Sequence, residues 1–254
     1  DRVPLAIDFY NNDIHNMGDN CFETDGGARN IRVFKNRCFN SASGALSVQP
    51  MFGGPVYFYQ NVVYNAPTGS LKYIEGSAGI LTYNNTIIGE GRAGPASNEY
   101  FRNNLILAQG AFDPVFAITT YTNYTNSDYN GFRPNPSAQH SFEWNSPPLE
   151  TPAEFHNKVV SRSFKTLKEF REAIGQEQHS VLVDYDTFVH VTMPDISDPQ
   201  RVYSSEHFDF RLKPGSPAID AGTVLPNITD DFTGRAPDLG AYELDRPIPH
   251  YGPR

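Results

Sequence analysis

The chain has 254 residues, enough for one large domain or two small ones, and is 39% hydrophobic, enough to bury a core. A net charge of −9 argues against nucleic acid as a partner, although a local basic or metal-filled groove would still hold an anionic polymer. No apolar run is long enough to span a membrane, and no leader precedes a start at Asp1 instead of Met, so the expectation is a processed or truncated product.

In chain order, the first signal is a repeat. Segments 9–16 (FYNNDIHN), 34–40 (FKNRCFN), 58–65 (FYQNVVYN), 82–89 (TYNNTIIG) and 100–107 (YFRNNLIL) each carry an asparagine followed by a short strand-like run. The asparagines Asn12, Asn36, Asn61, Asn85 and Asn104 are 24, 25, 24 and 19 residues apart, and a weaker copy at 126–131 (NSDYNG) places Asn126 another 22 residues on. The runs alternate and are rich in aromatic and β-branched residues, with no helical stripe. One short strand group per 20–25 residues suits a parallel β-helix, whose rungs stack at ~4.8 Å so that equivalent residues form ladders. The predicted fold is all-β: a right-handed parallel β-helix over residues 1–145, followed by a C-terminal cap region over 146–254. Within that region 166–175 (TLKEFREAIG) reads as a short helix, with Thr166 and Glu169 as a capping box and Gly175 as its stop. The cap is expected to cover an open end of the coil, while further coil or a partner chain covers the first rung.

The acids of 18–30 (GDNCFETDGGARN) fall into this register. Shifting 21–25 (CFETD) by 24 gives 45–49 (ALSVQ), and by another 25 gives 70–74 (SLKYI). Side-chain alternation then points Phe22, Leu46 and Leu71 inward with Thr24, Val48 and Tyr73, and puts Glu23, Ser47 and Lys72 in one outward column beside Asp25 and Gln49. Asp19, at the preceding turn, is expected to reach the same point. Three converging acids suit calcium. Beside a uronate, calcium would acidify the adjacent C–H, and Lys72, two rungs (~10 Å) from Glu23, would act as the base of a β-elimination. The same carboxylates also suit the acid and base of a glycoside hydrolase, and a non-catalytic extracellular coil is the third reading. Lys72 and Arg29 are the candidate catalytic cations; Ser47, Gln49 and Arg32 are candidate substrate contacts; Asp19, Glu23 and Asp25 are the candidate metal ligands. Half of the aromatics in 56–64 (VYFYQNVVY) are expected in the core and half outside, where they would stack on sugars. Cys21 and Cys38 are expected as two buried thiols in preference to a disulfide.

Segments 23–37 (ETDGGARNIRVFKNR), 47–65 (SVQPMFGGPVYFYQNVVYN), 210–222 (FRLKPGSPAIDAG) and 237–243 (PDLGAYE) resemble the rungs and C-terminal signature of right-handed β-helix proteins among secreted bacterial polysaccharide enzymes, the pectate-lyase-like superfamily. The resemblance implies a secreted or cell-envelope protein with a polysaccharide partner. More narrowly, 18–23 (GDNCFE) is similar to the calcium run of family-nine pectate lyases and 71–73 (LKY) to the segment with their catalytic lysine. Asp19, Asn20 and Glu23 then stand at acid positions, Asn20 replacing an acid and Cys21 a glycine.

Overall fold

The computed structural model describes residues 4–51, 53–110, 114–149 and 158–253; Asp1 lies outside them. Each rung closes because a residue in the left-handed region turns the chain just before a buried asparagine. Lys35, Gln60, Asn84, Asn103 and Tyr129 have φ between 50° and 57°, and each precedes a ladder asparagine. The asparagine then bonds in both directions along the stack. Asn61 Nδ2 donates to Val33 O behind and to Asn85 Oδ1 ahead, while Asn61 Oδ1 accepts from the backbone N–H and Nδ2 of Asn36. Asn36, Asn85 and Asn104 repeat the pattern. The sixth member is Asn130, 26 residues after Asn104, and not Asn126, which lies in a strand in register with Tyr100. The rung is longer there because more chain joins Leu107 to Phe116 than joins their partners Ile88 and Gly91 one rung before.

The result is a right-handed parallel β-helix of about six turns with three walls. The first wall holds the strands Phe22–Glu23, Leu46–Val48 and Leu71–Tyr73. The second runs from Leu5–Tyr10 through Arg29–Phe34, Val56–Tyr59 and Ala78–Tyr83 to the end of Gly91–Arg102. The third runs from Asp13–Met17 to Gly131–Arg133 and ends on Val181–Leu182. Val33, Phe58, Val63, Ile80, Ile87 and Phe101 fill the lumen.

The C-terminal region does two jobs. The helix Leu167–Ile174 has the expected capping box and a left-handed Gly175. It closes the end of the coil with Phe170, whose ring meets those of Phe142, Trp144 and Phe164 at 5.5–6.0 Å. The chain beyond Val181 is not an end cap. It runs back along the third wall and makes a second core there, Val183, Phe188, Phe210 and Leu239 packing on the outward Val62, Tyr64, Ile88 and Leu105. It reaches the first rungs, where Gly252 N–H donates to Asn11 O. Those outward residues are apolar, so the third wall needs this cover. At the other end, the strand Leu5–Tyr10 pairs only with Arg29–Phe34 among the described residues, leaving Leu5, Phe9 and Tyr10 exposed. No helix among the described residues is long and apolar enough to cross a membrane.

Cys21 and Cys38 are not separate thiols. They form a disulfide, with Cα atoms 6.1 Å apart. Cys21 enters the first wall and Cys38 lines the lumen from the third, and the narrow coil brings these walls together across 17 residues of chain. Closing a loop of that length stabilises by about 3 kcal/mol. The double variant Cys21→Ala/Cys38→Ala is expected to melt roughly 6–12 °C lower, and the unreduced, unfolded wild type to show no free thiol. An unchanged melting temperature would contradict this.

Candidate functional site

The first wall has the predicted register: Glu23 pairs with Ser47, and Ser47 with Lys72. Phe22, Leu46 and Leu71, and likewise Thr24, Val48 and Tyr73, are buried, as alternation requires. After Thr24 the chain turns sharply. Gly27 N–H donates to Thr24 O, and Gly26 sits at φ 70°. A Cβ on Gly27 would lie 2.8 Å from the Thr24 carbonyl oxygen, a backbone atom that the turn itself fixes, so only glycine lets the turn close over the core. The turn leaves Asp25 at the corner between the first and second walls, just before the strand that opens with Arg29.

At this corner Ser47 Oγ donates to Asp25 Oδ1 at 2.9 Å. Partial burial pushes the Asp25 carboxyl above its usual range, and the charge of Glu23 adds to that. The Ser47 bond, the Lys72 charge and the Gln49 backbone amide oppose the shift without cancelling it. Glu23 stands exposed two residues earlier, its Oε1 held by Asn20 Nδ2 at 2.8 Å. Asn20 is itself buried. Its orienting role was missing from the sequence reading, where an asparagine three residues before an acid was the available sign.

The candidate residues therefore divide. Glu23, Asp25, Ser47 and Lys72 are brought together, with Gln49 half-buried beside them. Ser47 is fully buried, so it positions Asp25 and does not touch a substrate. Asp19 is not part of the group. Its Oδ1 accepts the Asn20 backbone N–H and so serves its own turn. Among the described residues no set of three or more His, Cys, Asp or Glu side chains is placed to hold a metal ion. Asp19, Glu23 and Asp25 thus do not fit a three-carboxylate calcium site. Arg32 is engaged by Asp8 of the preceding rung through two 2.6 Å bonds. Arg37 is held likewise by Asp13. Arg29 is exposed at the head of its strand, with no ion pair among the described residues. The acids Asp220, Asp238 and Glu243 all accept backbone N–H groups of the C-terminal turns.

Two neighbouring carboxyl groups in unlike surroundings, one lifted by burial and one in water, are the arrangement by which a site divides acid from base. A lysine lies two rungs along the same wall. The chain matches no protein-family model and no curated protein, so what identifies it is its architecture, a parallel β-helix repeat protein.

Proposed function

We propose that the chain is a carbohydrate-active β-helix that hydrolyses glycosidic bonds of an acidic polysaccharide at this corner. Asp25 is the general acid: it delivers its proton to the glycosidic oxygen as the bond to the anomeric carbon breaks. Glu23 assists the attack of water at that carbon. Lys72, ~10 Å along the wall by rung spacing, faces the carboxylate of a neighbouring uronate. The observation that carries the reading is Asp25, raised by burial, held by Ser47 and flanked by Glu23. The calcium-assisted elimination is not carried forward, because the three acids are not gathered. The disulfide supports a secreted or cell-envelope setting, since such bonds persist in oxidising compartments.

Incubation with a panel of uronate-containing polysaccharides, following both reducing ends and the absorbance of unsaturated sugars, tests the reading. New reducing ends without absorbance are expected. Absorbance that rises with the reducing ends would mean elimination and sink the hydrolase. The absence of both signals would favour a non-catalytic binding coil.

A further inference from the structure

The second wall is built unlike the third. Its outward side chains stand in two columns fixed by strand register. One runs Asp8, Arg32, Tyr57, Leu81, Tyr100, Asn126, and the other Tyr10, Phe34, Tyr59, Tyr83, Arg102, Asp128. A wall facing only water would be mostly polar, yet six of these twelve positions are aromatic. Part of this is structural: Tyr10, Phe34 and Tyr59 stack face to face at 5.1 and 4.7 Å, which covers both faces of Phe34 and one face of each tyrosine. Tyr57, Tyr83 and Tyr100 stack on no ring among the described residues, and all three are half-exposed. None of the phenol groups of Tyr10, Tyr57, Tyr59, Tyr83 or Tyr100 has a hydrogen-bond partner among the described residues.

We infer that this wall binds an extended glycan chain lying along the coil axis, with Tyr57 and Tyr100 as the main contacts. The chemistry selects the occupant. Half-exposed rings suit the C–H faces of sugars, and the unpartnered phenols suit their hydroxyls. A flat row of strands, with Tyr57 and Tyr100 two rungs or ~10 Å apart, suits a linear polymer better than a compact molecule. In a chain of net charge −9, these two columns carry two acids, Asp8 and Asp128, against two arginines, Arg32 and Arg102, and so are neutral. An acidic glycan therefore meets less repulsion here than the net charge of the chain implies. The wall is also continuous with the corner, since its strand Arg29–Phe34 begins four residues after Asp25. Binding on this wall does not require cleavage at Asp25, and the two fail separately.

Affinity electrophoresis through gels containing polygalacturonate, alginate or neutral xylan tests the inference. Wild type and Asp25→Asn are expected to be retarded equally by at least one of the three. Tyr57→Ala/Tyr100→Ala is expected to bind at least tenfold more weakly while still folded at the temperature of the assay. Tyr100→Ala alone, a smaller disturbance of the wall, should weaken binding several-fold. Three results would each overturn the inference: wild type retarded by none of the gels, the double variant retarded like wild type, or Asp25→Asn losing retardation while the tyrosine variants keep it.

Discussion

Asn61→Ala is expected to cost the coil about 3–5 kcal/mol, with a melting temperature lower by roughly 10 °C or more. Asn61 is 1% exposed and makes four bonds within the ladder. Alanine removes both bonds it donates and strips the Asn36 backbone N–H of its acceptor. A buried donor left unsatisfied costs about 1–3 kcal/mol by itself. Asn12→Ala is the internal comparison. Asn12 sits in the first rung, bonds forward to Asn36 and is partly exposed, so water replaces what is lost and the expected cost is below about 1 kcal/mol. Urea midpoints of the two variants, read with unchanged slopes, measure the contrast. Equal small losses would mean that the ladder is a bystander of strand pairing.

Stability is expected to fall as pH rises from about 4.5 to 8, the reverse of an acid-labile protein. Glu99 points into the lumen, is fully buried and has no hydrogen-bond partner on either carboxylate oxygen. Burial raises it to about 8, against an ordinary value of 4.5. Glu177 is also buried, and burial raises it to about 7 although Ser127, Ser180 and Asn130 all donate to it. Both folded values lie above the unfolded ones, so between them the folded chain binds more protons. Stability is therefore greatest below pH 4.5, as far as these two groups decide it, and declines until both have ionised near pH 8. The shifts correspond to losses of order 5 kcal/mol for Glu99 and about 3 kcal/mol for Glu177. Glu99→Gln keeps the shape without the charge and is expected to remove most of the slope. The same slope in Glu99→Gln as in wild type would show that Glu99 is reached by water or a cation.

The repeat was legible because the ladder asparagine tolerates no substitute that both donates and accepts in the same place, so its spacing survives in the sequence. The register followed from it, and Glu23, Ser47 and Lys72 fell into one column as expected. Asn130 was missed because the longer passage from Leu107 to Phe116 stretches its rung to 26 residues, past the period of the earlier copies. The disulfide was missed because strand register relates residues about 24 apart, whereas Cys21 and Cys38 meet across the lumen at 17. Sequence alternation also could not show that Ser47, outward by parity, lies beneath Asp25 at the corner. Nor could it show that the segment after the helix turns back along the third wall. Its clue was the apolar outward column of that wall, Phe39, Tyr64, Ile88 and Leu107, which has no business facing water.

The most direct test of the proposed function is the hydrolysis rate of Asp25→Asn and Glu23→Gln against wild type, on whichever acidic glycan wild type cleaves. Both variants keep the side-chain shape, and asparagine still accepts the Ser47 bond, so the fold should be retained. Each is expected to lower kcat/KM by ~10²–10⁴-fold, the usual contribution of a positioned acid or base. Wild-type rates in both variants would contradict the account and reduce Glu23 and Asp25 to residues that shape a turn.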